Sequence, residues 1–336
     1  MSHRSLPEVQ AVMRHGLIPA VPVPFNTGGK IDLSSQQHYA AYMAEQPIAG
    51  VAVWAHTGRG LYLSRSQRMQ VLKSWREALA PGQILVAGVG ALEDRSAGAS
   101  AVMDCALAMA HDALEGGAEA LLVHPPSPFR GKPGEDELIL DYHRQLASLK
   151  APLVLFYLYE AAGGISYSSR LLRSLLELPE TLGIKLATLD SVMTFQEVSA
   201  LVTREFPGKL VITGEDRFLG YSLMCGAQAA LIGMGAVCTR LQYDLMQSHF
   251  NGNAATFLAI SHAVDLLAQA IFVSPMEGYI RRILWALVHS GVLRRENAED
   301  PWGPQLSERE FRQVGEALRE LDKPGSQSPT NHSRHV

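Results

Sequence analysis

Short apolar segments alternate with amphipathic segments along most of the chain. Between the apolar segments, apolar positions recur at helical spacing, as at Met69, Leu72, Trp75 and Leu79. The pattern predicts eight buried strands, at 16–23, 48–54, 84–89, 120–124, 153–157, 183–187, 210–213 and 229–232. Strands that alternate with helices in this way are typical of parallel βα units. We therefore predict an α/β protein whose strands close into a (β/α)8 TIM barrel.

The C-terminal part of the chain is predicted to be helical. Three further helical patterns follow the eighth strand, at 254–272, 275–290 and 307–321. They exceed what a barrel needs, so we expect a catalytic barrel over 10–235 and a helical subdomain over 236–322. The remaining segment, 323–336, is rich in Ser, Pro, His and Asn and predicts a disordered tail. A doubly wound open sheet is the alternative, but no G-x-G-x-x-G follows the first strand.

Composition and charge argue against several classes of function. The net charge is -4, from 29 basic and 33 acidic residues, and no basic stripe suits nucleic acid. The three cysteines (Cys105, Cys225 and Cys238) lack metal-ligand spacing, which is typical of reduced thiols in the cytoplasm. We find no apolar signal segment at the N-terminus and no apolar run long enough to span a bilayer. We therefore expect a cytoplasmic protein with no nucleic-acid or membrane partner.

Lys185 interrupts an apolar segment that reads as the sixth strand. A buried ammonium loses its hydration, so either a partner holds it or its pKa falls. A lysine of depressed pKa is an amine nucleophile suited to forming a Schiff base with a carbonyl. The alternative is a lysine at the strand end whose ammonium reaches solvent or pairs with a carboxylate.

Other polar residues follow the predicted strands at the same end of the barrel, where the catalytic groups of such barrels lie. They are His56 and Thr57, His124, Tyr157 and 214–216. A metal site built from His56 and His124 with Glu215 or Asp216 is the alternative, yet no H-x-H or H-E-x-x-H spacing is present. We therefore predict no metal.

The sequence resembles the dihydrodipicolinate synthase / N-acetylneuraminate lyase family of Schiff-base aldolases. The resemblance extends from about residue 16 to 321 and is strongest in four motifs. They are Gly183-Ile184-Lys185, Thr57-Gly58, Ala87-Gly88-Val89-Gly90 and the segment 272–277, Phe-Val-Ser-Pro-Met-Glu. It implies an enzyme without a cofactor that holds pyruvate or another 2-oxo acid as an imine on Lys185. It also implies a homo-oligomer, a tetramer or dimer.

The resemblance implies roles for several further residues. Thr57 and Gly58 would hold the substrate carboxylate, largely through backbone N–H groups, and Gly183 would leave room beside the imine. We also expect His124 and Gly214 to contact the substrate. Aligning the chain with the family backward from Lys185 without a gap places the family's catalytic tyrosine at Tyr157. Aligning it forward from Pro152 places that tyrosine at Phe156, one residue earlier.

We predict that Tyr157 is the proton carrier. Strand alternation places Tyr157 and Tyr159 on one face and Phe156 on the other. We interpret Tyr159 as a loop aromatic.

Three departures from the family pattern bear on the substrate. His56 stands where the synthases have a hydroxyl residue that relays protons, and an imidazole can serve as acid–base group there. Ala162 stands where the arginine that binds a second carboxylate would fall, and Pro125-Pro126-Ser127-Pro128 stands in place of the family's paired tyrosines. We therefore predict little dihydrodipicolinate synthase activity.

The predicted function is that of a lyase or aldolase acting on a 2-oxo acid and an aldehyde or sugar-acid partner. Two alternatives remain open. One is a sugar-acid dehydratase or hydratase-aldolase, which would use the same imine. The other, of a different class, is a non-catalytic 2-oxo-acid-binding barrel.

Overall fold

The eight predicted strands form one parallel sheet in the computed structural model, which describes residues 4–92, 96, 98–189 and 191–321. The strands are β1 Leu17–Pro19, β2 Gly50–Val53, β3 Ile84–Val89, β4 Ala120–Val123, β5 Leu153–Leu158, β6 Thr181–Ala187, β7 Leu210–Thr213 and β8 Ala229–Ile232. Their order is β1-β8-β7-β6-β5-β4-β3-β2. A parallel bridge between Ala20 and Ala52 joins the β1 side to β2 and closes the barrel. The TIM-barrel prediction is confirmed.

Helices alternate with the strands and then continue beyond the barrel. They are α1 Leu6–Met13, α2 Leu33–Ala44, α3 Arg65–Ala78, α4 Ala99–Glu115, α5 Glu135–Ala147, α6 Ser169–Leu176, α7 Val192–Glu205, α8 Leu219–Met224, α9 Thr239–Phe250, α10 Ala254–Ile271, α11 Tyr279–His289 and α12 Glu308–Leu321. Ser64 caps the N-terminus of α3 in a capping box, its side chain accepting from Gln67 N–H. The sequence pattern missed α1 and α9.

The C-terminal helices pack on one another and on the barrel. Helix α9 follows β8 and contacts both β1 and α10, and α12 packs against α10 and α11. The division at residue 235 stays a prediction, and the predicted tail at 323–336 lies outside the described residues. Helix α10 is long and apolar enough, by length and composition alone, to cross a membrane. The sequence pattern predicts no apolar segment of that length. It packs against α8, α9 and α12.

The two faces of each strand bury against different partners. Side chains such as Val86, Leu122, Val154 and Phe156 form one cluster inside the barrel. Their neighbours along the strands belong to a second cluster with the surrounding helices. Because side chains alternate along a strand, a shift of one residue decides whether a side chain enters the barrel or the helical layer.

Candidate active site

Lys185 projects from β6 at the mouth of the barrel. Its side chain lines a cleft, is only 5% exposed, and places Nζ 4.2 Å from the centre of the Phe156 ring. Burial lowers the pKa of Lys185 to about 8, although the carboxyl groups of Asp216 and Glu215 act in the opposite direction. A sizeable fraction of this amine is neutral near physiological pH, and only the neutral form can attack a carbonyl.

Strand β5 carries phenylalanine, not tyrosine, beside the lysine. Phe156 pairs with Lys185 in the β5–β6 register and lines the same cleft. Tyr157 belongs to the cluster between barrel and helices, where its ring packs edge-on against Tyr167 at 5.5 Å. The structure therefore does not bring Tyr157 to the site as predicted. The alignment that runs forward from Pro152 is therefore the correct one for this strand. The shift of one residue places the Tyr157 side chain on the face of β5 that packs against the helices.

We call the cleft around Lys185 the inner chamber. It encloses about 550 Å³, part of it open to solvent, and is lined by His56, Thr57, Tyr159, Gly214, Asp216 and Tyr279 among others. Two acidic side chains from the end of β7 stand beside the lysine. Burial raises the pKa of Glu215 and of Asp216, each to about 7. The inner chamber therefore holds three groups that titrate close to neutral pH.

Both acidic side chains are held by backbone amides. Glu215 accepts from the Leu189 N–H at 3.2 Å and from the Thr188 hydroxyl at 3.0 Å, and also from the Thr188 N–H. Asp216 accepts from the Met234 N–H at 2.6 Å. These bonds fix the loops after β6 and β8 around the lysine.

Glu277, between α10 and α11, joins three polar groups of the barrel mouth. Its carboxylate accepts from His56 Nε2–H at 3.0 Å, from Arg59 Nη1–H at 2.8 Å and from the Tyr159 hydroxyl at 3.3 Å. Burial opposes ionisation of Glu277, but the hydrogen bonds and charges of His56 and Arg59 outweigh it and lower its pKa to about 2. The carboxylate thus stays charged and keeps these side chains in place.

Arg59 is a buried structural cation. It donates to Asp300 through Nη2–H at 2.8 Å and Nε–H at 3.2 Å, in addition to its bond with Glu277. Burial opposes its charge, yet Asp300 and Glu277 raise its pKa above the usual value. With both ends of its guanidinium paired, Arg59 has little capacity to bind a substrate carboxylate.

The predicted carboxylate-binding turn is present in part. Thr57 lines the inner chamber and shares a 3.0 Å hydrogen bond with the Tyr279 hydroxyl. The Gly58 N–H, however, donates within the turn to Ala55 O at 3.0 Å, and Gly58 is not among the lining residues. The turn itself therefore uses the amide that we expected to face the substrate.

The glycines beside the lysine differ from the prediction in which of them leaves room at the site. A Cβ on Gly183 would meet Leu210 O at 2.3 Å, so that glycine permits the close approach of β7. A Cβ on Gly214 would meet Lys185 Cε at 2.7 Å. Gly214, rather than Gly183, is thus the glycine that leaves room for the lysine side chain.

His124 is almost completely buried and lies at the boundary of the site. Its Nε2–H donates to Trp54 O at 3.2 Å, and its ring lies 5.6 Å from that of Phe156. Burial lowers the pKa of His124 to about 4, so the ring is neutral at physiological pH. Within the ranges that the structure describes, no three His, Cys, Asp or Glu side chains are grouped as metal ligands.

A second cavity adjoins the first, and we call it the outer chamber. His56 and Leu158 line both chambers, while Glu277, Arg59 and His124 line only the outer one. Most of its remaining lining is aromatic or aliphatic, including Leu61, Tyr62, Leu92, Ala161, Ala162 and Trp302. The side chains of His56 and Glu277 therefore stand between two cavities of different character.

Sequence reasoning missed Tyr159, Glu277 and Asp300 as site residues. Glu277 lies in the 272–277 segment that carried part of the resemblance, which was the available signal. Its partners Tyr159 and His56 are 118 and 221 residues away along the chain. No local spacing reports contacts of that kind.

Comparison with known proteins gives a consistent result. A model described as the dihydrodipicolinate synthetase family matches residues 13–321. A 4-hydroxy-tetrahydrodipicolinate synthase of Synechococcus sp. (strain CC9605) is 26% identical over 261 residues, covering 77% of this chain and 80% of the relative. A probable mitochondrial 4-hydroxy-2-oxoglutarate aldolase of Emericella nidulans is 26% identical over 264 residues, covering 75% of this chain and 81% of the relative.

A solved structure extends the likeness to the fold. YagE, a prophage protein of the dihydrodipicolinic acid synthase family from E. coli K12, was solved in complex with pyruvate. It superposes with a TM-score of 0.76 at 19% identity, covering 91% of this chain and 98% of that one. The chain is thus an enzyme of the lyase class and belongs to the dihydrodipicolinate synthetase family.

Proposed function

We propose that this enzyme binds pyruvate or a similar 2-oxo acid as an imine on Lys185 and makes or breaks a carbon–carbon bond to an aldehyde. The observation that carries the proposal is a buried lysine at the barrel mouth whose pKa is about 8. A family relative named for 4-hydroxy-2-oxoglutarate cleavage and a structural neighbour bound to pyruvate support the choice of substrate class.

The reaction begins with attack of neutral Nζ on the ketone carbon. Loss of water gives a protonated imine, which draws electrons from the neighbouring carbon. In condensation, that carbon loses a proton to form an enamine and then attacks the aldehyde carbon. In cleavage, the same electron flow runs backward, and hydrolysis of the imine returns the 2-oxo acid and free Lys185.

The two chambers suit two substrates. We assign the 2-oxo acid to the inner chamber, with Thr57 near its carboxylate, and the aldehyde or sugar-acid partner to the outer chamber. The one cation among the outer chamber's described lining residues is Arg59, which is already paired with two carboxylates. Ala162 adds no charge. Such a chamber serves a second carboxylate poorly, which argues against dihydrodipicolinate synthesis.

Incubation with pyruvate and borohydride tests the imine. We expect an irreversible adduct, which peptide mapping locates to Lys185. Lys185→Met should abolish it, whereas Lys150→Met should not, because Lys150 is exposed and paired with Glu180. An adduct on another lysine, or none, would remove the Schiff-base mechanism.

A dehydratase or hydratase-aldolase is the second candidate. It is favoured by the two carboxyl groups of pKa about 7 beside Lys185, because a neutral carboxyl can protonate a departing hydroxyl. Product analysis on 2-keto-3-deoxy sugar acids and on aldehyde–pyruvate pairs separates the outcomes. Homo-oligomer formation and cytoplasmic location also stay predictions, the first to be measured by size-exclusion chromatography with light scattering.

A further inference from the structure

A partition of three polar side chains separates the inner and outer chambers. His56 lines both cavities, Tyr159 lines the inner one and Glu277 the outer one, and the Glu277 carboxylate binds both partners. If the 2-oxo acid is held on Lys185 and its partner in the outer chamber, the new carbon–carbon bond crosses this partition. A proton must reach the aldehyde oxygen at the same place.

The residue beside Lys185 on β5 cannot supply that proton. The Phe156 side chain has no acidic hydrogen, and the Tyr157 ring lies on the other face of the strand against Tyr167. Yet an aldol step without a proton donor would leave an alkoxide in a partly buried cleft, which is costly. Another protic group must therefore face the site.

Most of the protic groups that line the inner chamber are engaged elsewhere. Thr57 and Tyr279 are bonded to each other. Backbone amides of the loops after β6 and β8 fix Glu215 and Asp216, and both line only the inner chamber, away from the partition. Tyr159 differs, since its hydroxyl has one long bond of 3.3 Å, to Glu277 at the partition. Such a bond is easily exchanged for one to a substrate oxygen.

We propose that Tyr159 is the catalytic proton donor of this site and that Glu277 positions it. This rests on the proposed imine function of Lys185. As the enamine carbon attacks the aldehyde carbon, the carbonyl π electrons move to the aldehyde oxygen. That oxygen takes the proton of the Tyr159 hydroxyl and becomes an alcohol. The phenolate left behind regains a proton from solvent through the outer chamber, and cleavage runs the same transfer backward.

The electrostatics of the partition agree with this role. Burial and the neighbouring Glu277 carboxylate raise the pKa of Tyr159 above its usual value. The phenol is therefore fully protonated at neutral pH, which is the state that a donor requires. His56, held at Nε2 by the same carboxylate, is available for the other proton transfer, at the carbon beside the imine.

Three tyrosine–phenylalanine exchanges, two in β5 and one directly after it, test the proposal. With pyruvate and simple aldehydes, Tyr159→Phe should lower turnover roughly 10²–10⁴-fold, while borohydride still traps pyruvate on Lys185 at the parental rate. Tyr157→Phe, the matched control, should keep parental turnover because that hydroxyl lies outside the cleft. Adding Phe156→Tyr to Tyr159→Phe should restore part of the lost turnover by placing a phenol beside Lys185.

Other outcomes would overturn the proposal. If Tyr159→Phe turns over as fast as the parent, Tyr159 is not the proton donor. The same conclusion follows if the parent traps pyruvate without turnover and only Phe156→Tyr makes it active. Trapping without turnover in the parent and in every variant would also overturn it, leaving a binding barrel. Absence of trapping in the parent would instead refute the imine function itself, so the two failures are distinguishable.

The positioning role of Glu277 has its own readout. Glu277→Gln keeps an acceptor oxygen for the Tyr159 hydroxyl, whereas Glu277→Ala removes it. We expect kcat to fall further in Glu277→Ala than in Glu277→Gln, with trapping of pyruvate unchanged in both. Equal losses in the two variants, or a loss of trapping, would show that Glu277 merely supports the fold.

Discussion

The inner and outer chambers are separated by the partition and differ in the protonation behaviour of their charged side chains. In the inner chamber, Lys185, Glu215 and Asp216 have pKa values displaced toward neutrality by burial. In the outer chamber, Arg59 is held in its charged form by Asp300 and Glu277. The groups of the inner chamber can therefore gain or lose protons near neutral pH, whereas Arg59 in the outer chamber stays charged and paired. Chemistry is therefore expected in the inner chamber and substrate selection in the outer one.

The difference follows from where the chambers lie in the fold. Lys185 and Gly214 lie at the ends of parallel strands, which the barrel holds rigidly and shields from water. The outer chamber is built mostly from loops, and its large apolar side chains remain accessible, with Tyr62 47% and Trp302 38% exposed. Loops of this kind can change without disturbing the strand ends, so acceptor preference can vary over a fixed imine site.

Within the partition, loss of His56 should have an effect as large as that of Tyr159→Phe. His56→Ala should lower turnover roughly 10²–10⁴-fold, the usual cost of losing one acid–base group. It should still trap pyruvate, because the imidazole bonds Glu277 and not Lys185. Turnover close to the parent would assign His56 to packing. Loss of trapping would mean that it positions the imine and would weaken the distinction between the chambers.

The pH dependence of trapping tests the inner chamber. Only neutral Lys185 attacks, so a pKa of about 8 predicts that the trapping rate rises with pH and levels off above about pH 8. Between pH 8 and pH 6 the neutral fraction falls roughly 50-fold for a single group. The observed fall should be shallower, since Glu215 and Asp216 lose charge near pH 7 and then favour the ammonium less.

Asp216→Asn provides the control for that profile. Removing a carboxylate that favours the ammonium should shift the midpoint for trapping to lower pH. A parental rate that rises only near the ordinary pKa of lysine, about 10.4, would contradict the burial argument.

The sequence predicts the residues of the inner chamber much better than it predicts those of the partition. A lysine inside an apolar strand and polar residues at strand ends are local signals, and they locate Lys185 and 214–216 and, of the partition, His56 alone. Tyr157 shows the limit of the method, because one residue of register exchanges the faces of a strand. Tyr159 and Glu277 meet only after the barrel has closed and α11 has packed over its mouth. Their contact follows from tertiary structure and leaves no periodic trace.

The smallest effect that we predict concerns Ala162 in the outer chamber. The parent should show little activity with aspartate semialdehyde, well below a typical turnover of about 10 per second, because the Glu277 carboxylate opposes an anionic acceptor and Arg59 is already paired. Ala162→Arg adds a guanidinium to the lining. One charge-assisted hydrogen bond contributes about 1.5 kcal/mol, or a factor of about ten in affinity.

We therefore expect Ala162→Arg to lower the KM for a carboxylate-bearing aldehyde by about tenfold and to leave the KM for an uncharged aldehyde unchanged. Ala162→Gln has a long polar side chain without the charge and controls for size. If both variants act alike, bulk rather than charge governs the outer chamber. If the parent already condenses aspartate semialdehyde at an ordinary rate, a cation other than Arg59 serves that carboxylate, and the contrast between the chambers does not extend to substrate choice.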